Sequence, residues 1–319
     1  MATVRASYGI DSFGVDLNFY VRHFWEEWFG DNVYEAYGGR IYQDVYAVNG
    51  FDGYDELILA LGGTGFGLDG WGNVNRGTVT GIAETLFDGP LIWSAQGIAV
   101  PAVALYRAAL TWGNADDRAV MAQALAGHDL ITLSPDDDRF EGWGGNDRMF
   151  GHGGNDRLFG GTGDDMLNGG WGNDRLLGGT GHDRLTGALG HDTLEGGTGA
   201  DVLDGGLGRD RLFAGLDAMR DVFVFRAPNE TAVGAQRDSI HQFRPGQDDI
   251  DLSAMDAHAG RAGNQAFGFS GMAAAAHSVW YVAQAGGVIL RGDVNGNRTA
   301  DFEIWLADAA WLGVGDVIL

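Results

Sequence analysis

From Gly142 the chain reads GWGGNDRMF, GHGGNDRLF, GGTGDDMLN, GGWGNDRLL, GGTGHDRLT, GALGHDTLE, GGTGADVLD, GGLGRDRLF, and this run closes at Phe213. These are eight consecutive nonapeptides without insertion, and they hold 23 of the 55 glycines. An aspartate stands at the sixth position of each: Asp147, Asp156, Asp165, Asp174, Asp183, Asp192, Asp201 and Asp210. Asp138 and Asp129 continue the same register backwards, in weaker repeats that lack most of the glycines. Two places after each aspartate comes a large apolar residue, from Ile131 and Phe140 through Met149, Leu158 and Leu167 to Leu212. A flexible linker has no reason to keep both features in phase over so many steps.

Three glycines within four residues allow a tight turn with left-handed backbone angles and bare carbonyls. The residues that follow, such as Asp156-Arg157-Leu158, suit a very short strand, with the leucine turned inward and the arginine outward. One nonapeptide cannot bury a face alone, but stacked nonapeptides form a solenoid with a thin aliphatic core.

The nonapeptide resembles the calcium-binding repeat of RTX (repeats-in-toxin) proteins. That resemblance implies a parallel β-roll with two repeats per coil, so that residues eighteen apart lie above one another. Asp147 then stacks near Asp165, Asp165 near Asp183, and Asp183 near Asp201. At strand spacing of roughly 5 Å, each unshielded carboxylate pair costs roughly 3 kcal/mol. A hard dication between the turns reverses that sign, and carboxylate plus carbonyl oxygens select calcium over zinc or copper. The implied calcium-site residues are Asp138; Gly142, Gly144, Gly145 and Asp147; Gly151, Gly153, Gly154 and Asp156; and Gly160, Gly161, Gly163 and Asp165. They continue with Gly169, Gly170, Gly172 and Asp174; Gly178, Gly179, Gly181 and Asp183; and Gly187, Gly190 and Asp192. The last are Gly196, Gly197, Gly199 and Asp201, then Gly205, Gly206, Gly208 and Asp210. Pairing each turn with its neighbour two repeats on gives about six sandwiched ions. His152, His182 and His191 occupy variable positions and read as spacers rather than transition-metal ligands.

Composition agrees. The 20 basic residues, all arginine, stand against 44 acidic ones, for a formal charge of −24 over 319 residues. Such a surface excludes nucleic acid and anionic membranes as partners. An apolar fraction of 45% supplies a packed core. The absence of cysteine removes disulfides, thiol catalysis and thiolate-bound metals. The first residues lack the apolar stretch of a secretory signal, and the longest apolar run, 98–106, is too short to span a membrane.

Beyond the repeats, DVFVF at 221–225, DSIHQFRPGQDDIDLS at 238–253, AFGFSG at 266–271 and DVNGNRTADFEIWL at 293–306 resemble the C-terminal domain of the serralysin metalloproteases. The terminal Asp316-Val317-Ile318-Leu319 is similar to the uncleaved C-terminal signal of type I secretion, which implies a type I exporter as partner. By the same resemblance Asp238 would bind calcium at the end of the roll. Asp293, Asn295, Asn297 and Asp301 have EF-hand-like spacing, but Ile304 replaces the final glutamate and Arg298 the turn glycine, so a structural turn is expected there.

Residues 1–126 read as a small α+β module, 127–220 as the calcium roll and 221–319 as the serralysin-like β domain. The fold class expected is mainly β. In the first module, helices are expected at Val15–Phe29, Pro101–Trp112 and Asp116–Leu125, with extended segments around 39–48, 56–61, 77–85 and 91–98. Such a module could cap the open edge of the roll. It faintly resembles bacterial hemophores through SFGVDLNFYVRHFWEEWFGDN at 12–32 and GNADDRAVMAQAL at 113–125. Yet no histidine follows the Gly30-Asp31-Asn32 turn, and Phe66 or Leu68 stands near the ligand tyrosine's place, leaving His23, Tyr34 and Tyr37 as candidates. No H-E-x-x-H, G-x-S-x-G or P-loop occurs, so neither a catalytic nor a cofactor-binding residue is assigned. The reading is a non-enzymatic, secreted or cell-surface protein that folds on calcium. A heme-like ligand, an unrecognised enzymatic cargo in 1–126 and an adhesive or surface-layer role are the alternatives.

Overall fold

The computed structural model describes residues 119–319 apart from residue 259, and before residue 119 only the backbone of the elements named below. Two compact units, Met1–Met149 and Phe150–Leu319, are described separately.

In the second unit the nonapeptide becomes a parallel solenoid. Arg157–Thr162, Arg175–Thr180, Thr193–Thr198 and Arg211–Phe213 pair in one sheet. Met166–Trp171, Arg184–Gly190 and Val202–Gly208 pair in the other. Neighbours are eighteen residues apart, as in Leu158↔Leu176↔Leu194 and Leu167↔Leu185↔Leu203. The strands are longer than the three residues expected, because they run through the first three positions of the following repeat. Only positions four to six turn the chain. The second position nevertheless keeps a left-handed φ inside the strand, whether it is Gly161 at 110°, His152 at 72° or Ala188 at 83°.

The leucines two places after the aspartates form two wholly buried columns. One runs Leu158, Leu176, Leu194, Leu212 and then Ile240 and Leu306. The other runs Leu167, Leu185, Leu203 and then Phe223, Ile250 and Val317. Each such side chain contributes roughly 2 kcal/mol on burial, so the columns are the core. They also show that Val222–Val224, Asp238–His241, Asp249–Asp251 and Val317–Ile318 extend the same two sheets. Phe302–Ala307 then turns the sheet of Arg157–Thr162 into an antiparallel meander with Gly287–Gly292 and Ser278–Gln284.

In the first unit, Glu26–Gly30, Asp44–Phe51, Glu56–Leu68, Val74–Leu86, Leu91–Pro101 and Thr3–Ala6 form an antiparallel sheet in that order. The extended segments near 39–48, 56–61, 77–85 and 91–98 are strands, as expected, and Ala115–Ala124 is a helix. Two expectations change. Glu26–Gly30, read as the end of a helix, is a strand paired with Asp44–Phe51, so edge pairing outweighs the helical spacing of its apolar residues. Pro101 closes a strand rather than opening a helix. The remainder of both proposed helices, residues 15–25 and 102–112, lies outside the described residues, as do His23 and Tyr34. Thr3–Ala6 also pairs in parallel with Leu130–Thr132, the first strand in the nonapeptide register, so that strand is not an open edge on this side.

Candidate metal centre

The strands deliver each sixth-position aspartate to the inner side of a turn. Every sixth-position aspartate from Asp147 to Asp210 is buried. One carboxylate oxygen closes a ladder between coils. Asp183 Oδ1 accepts the Asp165 N–H at 2.8 Å, Asp192 Oδ1 that of Asp174 at 2.8 Å, and Asp201 Oδ1 that of Asp183 at 2.9 Å. In the first unit Asp147 Oδ1 likewise accepts the Asp129 N–H. Residues eighteen apart therefore do lie above one another. Asp138 is placed differently, since its Oδ2 accepts both the N–H and the hydroxyl of Ser134 at 2.9 Å.

The ladder does not stop with the repeats. Asp221 Oδ1 accepts from Asp201, Asp238 Oδ1 from Asp210, and Asp248 Oδ1 from Asp221. Sequence periodicity missed Asp221 and Asp248, because the loops before them break the nine-residue step. The signal was present as aspartate followed two places later by a core residue: Asp221 before Phe223, and Asp248 before Ile250.

The second oxygen distinguishes these residues. Among the described residues, Oδ2 of Asp183, Asp192, Asp201, Asp210 and Asp238 has no hydrogen-bond partner although it is buried. At Asp183, Asp192, Asp201 and Asp210 it faces a cradle that a single carbon would fill. A Cβ built on Gly178 would lie 2.3 Å from Asp183 Oδ2 and 2.6 Å from the Gly196 carbonyl oxygen. On Gly187 it would lie 2.4 Å from Asp192 Oδ2 and 2.6 Å from the Gly205 carbonyl. The first-position glycines are thus required by space, since their φ is not left-handed. Gly154, Gly163, Gly172, Gly181, Gly190 and Gly199, at the fourth position, are left-handed turn residues.

Burial drives the carboxyls toward the neutral form. Desolvation is the largest influence on each. The neighbouring backbone N–H acts against it, and adjacent aspartates add a smaller upward push at Asp183, Asp192 and Asp238. The result is a pKa raised to about 8 for Asp192 and Asp238, to about 7 for Asp183 and Asp221, and to about 6 for Asp201 and Asp210. Repulsion between stacked aspartates, the penalty expected from the sequence, is therefore secondary to loss of water.

Among the described residues no three His, Asp or Glu side chains converge on one point. A metal here must draw on main-chain oxygens as well. The cradle supplies them: one anionic oxygen and a carbonyl from the next coil, all hard donors, with no nitrogen or sulfur. That set suits calcium.

The fifth-position residues form an outer ladder of opposite polarity. Asn155 Oδ1 accepts the Asn173 N–H, Asp164 Oδ1 that of His182, His182 Nδ1 that of Ala200, and His191 Nδ1 that of Arg209. His182 and His191 are thus ladder members rather than spacers.

The 293–301 loop is a useful contrast. Asp293 is buried too, and burial alone would raise its pKa, but N–H groups of Arg298, Gly296 and Asn295 hold it below the usual range. Both its oxygens are engaged, Oδ1 by Asn295 and Gly296 and Oδ2 by Arg298. This is the geometry of a self-satisfied turn.

The family model for the RTX calcium-binding nonapeptide repeat matches residues 123–158, 150–185 and 186–218. The repeat segment is an RTX β-roll. Among solved structures, the chain is similar to the solution structure of the AlgE6R2 subunit of the Azotobacter vinelandii mannuronan C5-epimerase, at 27% identity and a TM-score of 0.35, over 48% of this chain and 91% of that one. It is also similar to the AlgE6R3 subunit of the same enzyme, at 28% identity and a TM-score of 0.25, over 49% and 78% of the two chains. No curated protein matches it in sequence. Among the described residues of the chain no helix is long and apolar enough to cross a membrane.

The cradle makes a direct prediction for the roll. Gly178→Ala should destabilise the calcium-loaded chain by on the order of 1–3 kcal/mol, read as a lower Tm by calorimetry, because the methyl displaces Asp183 or the Gly196 carbonyl. Gly315→Ala, where a Cβ meets nothing within 4 Å, should stay within about 0.5 kcal/mol of the parent.

Proposed function

We propose that this chain is a non-catalytic, secreted calcium-binding RTX protein whose roll folds when it meets extracellular calcium after type I export. The observation that carries the reading is the row of buried Oδ2 atoms without a donor at Asp183, Asp192, Asp201, Asp210 and Asp238, the first four each beside a glycine cradle. In this reading the ions lie between turns of successive coils. Asp183 with the Gly196 carbonyl and Asp192 with the Gly205 carbonyl would hold two of them, and Asp156, Asp165 and Asp174 would serve likewise. Asp238 would serve at the far end. A bound dication supplies the positive charge that lets these carboxylates stay ionised out of water.

The folding switch follows from linkage. Where calcium is scarce, the charged turns oppose compaction and the chain stays open enough to thread an exporter. Where it is millimolar, binding free energy becomes folding free energy. Weak sites suffice, since extracellular modules commonly bind calcium at about 10⁻⁴–10⁻³ M. The serralysin-like character of the C-terminal third supports the type I route.

Calcium titration of the chelated, full-length chain tests this. Far-UV circular dichroism should show cooperative gain of β structure at sub-millimolar to millimolar calcium, and magnesium at the same concentration should not replace it. A roll that keeps its structure and Tm in excess chelator at neutral pH would defeat the proposal.

A further inference from the structure

Arg209, Arg237, Ser239, Gln284 and Trp305 line an open pocket of about 240 Å³ on the second unit. The charged residues of its lining are both arginines, in a chain where acidic residues outnumber basic ones. Glu303, buried, accepts Arg237 Nη1 and, at 2.8 Å, Arg291 Nε, and its Oε2 also takes the Gly234 N–H at 3.0 Å. One carboxylate is thus shared by two guanidinium groups, which leaves a positive excess and fixes Arg237 at the pocket wall. Arg209 is exposed and forms no ion pair among the described residues, so it adds a second cation. In a chain with a net charge of −24, a built cationic concavity stands out against the background field.

The other walls narrow the ligand. Trp305 is half-buried and lines the pocket, and an indole is an apolar surface against which the C–H groups of a sugar ring can pack. The Gln284 amide offers a neutral donor and acceptor of the kind that match ring hydroxyls, while the Ser239 hydroxyl already meets His241 Nε2 at 3.1 Å and the Asp210 carbonyl at 3.4 Å and is left with acceptor capacity. The volume falls below the range of about 300–1,000 Å³ common for drug-sized ligands, so one ring fills it. A guanidinium fork recognises a carboxylate in two-point fashion.

We infer that this pocket binds a carboxylate-bearing sugar, a single hexuronate unit, with Arg209 and Arg237 on the carboxylate and Trp305 under the ring. The pocket borders the last aspartate turns, since Arg209 precedes Asp210 and Arg237 and Ser239 flank Asp238, so binding is measured with the turns held in saturating calcium.

The test is isothermal titration of the full chain in saturating calcium, with the fold verified by circular dichroism before each run so that misfolding and lack of binding are told apart. D-glucuronate should bind in the millimolar range or tighter, and D-glucose at least about tenfold more weakly. Arg209→Ala and Trp305→Ala should each lower glucuronate affinity by about tenfold or more without changing the dichroism spectrum. Arg237 is left intact because it also anchors Glu303. Three results would overturn the inference: no binding of glucuronate to the folded chain, equal binding of glucose, or inorganic phosphate binding as well as glucuronate with no effect of Trp305→Ala.

Discussion

Held in excess chelator at about pH 7.5, the chain should have lost most of its far-UV β signal, and acidification toward about pH 5 should restore it. The reason is the direction of the carboxyl shifts. Asp183, Asp192, Asp221 and Asp238 have folded pKa values of about 7 to 8, and Asp201 and Asp210 of about 6, against 3.8 for the ordinary group. A carboxyl whose pKa is raised by folding holds its proton more tightly in the fold. Its contribution is complete below about pH 3.8 and is lost as pH climbs through the folded value. Each pH unit of that climb costs about 1.4 kcal/mol per group, so Asp192 alone opposes the metal-free fold at neutral pH by roughly 5 kcal/mol. Six such groups exceed the whole net stability of an ordinary domain, about 5–15 kcal/mol. Protons should therefore stand in for calcium between about pH 8 and pH 5. Asp293, whose pKa is lowered, behaves oppositely and sets an acid limit, since its contribution is lost once pH falls below the ordinary carboxylate range. The measurement is the 218 nm ellipticity of the chelated chain against pH. A steady loss of structure from neutral pH downward would sink the explanation.

This behaviour shows what the sequence could and could not reveal. The nine-residue step marked the equivalent positions, and the resemblance to RTX repeats, with two repeats per coil, put Asp165 under Asp183 and Leu158 under Leu176. The same step hid the continuation. Asp221, Asp238 and Asp248 follow their ladder partners at intervals of 20, 28 and 27 residues, and an intervening loop erases a period while leaving the coil geometry intact. What survives the loop is local chemistry: an aspartate at the turn and an apolar residue two places on, which Asp238 and Ile240 repeat. Energetics were less legible still. Spacing suggested that the aspartates repel one another, but how dry each carboxylate is depends on the coils above and below it. In the first unit, the apolar spacing before Gly30 matched a helix, while Glu26–Gly30 pairs as a strand with Asp44–Phe51. A local pattern competes poorly with a neighbouring strand that offers a full hydrogen-bond ladder.

Asp192→Asn should change the sign of its effect with calcium, and this separates an ion ligand from a structural turn residue. The amide oxygen of the replacement keeps the bond that Asp192 Oδ1 makes with the Asp174 N–H at 2.8 Å. Its nitrogen takes the place of Oδ2, in the cradle shared with the Gly205 carbonyl, and a donor there faces an acceptor. In chelator at neutral pH the variant loses a buried charge whose neutral form the fold prefers, so it should be stabilised by several kcal/mol. The Asp174 and Asp210 carboxyls, which push Asp192 upward, are relieved with it. In saturating calcium the same change removes an anionic ligand from a hard-cation site. There it should be destabilising by several kcal/mol and should lower the number of tightly held ions by at least about one. Paired calorimetry of parent and variant, in saturating calcium at neutral pH and in chelator near pH 5, where the metal-free parent regains its structure and the variant is favoured in the same direction, reads both signs. If Asp192 were only a hydrogen-bonding turn residue, the variant would shift Tm in the same direction in both conditions, since the ladder bond it keeps is indifferent to metal.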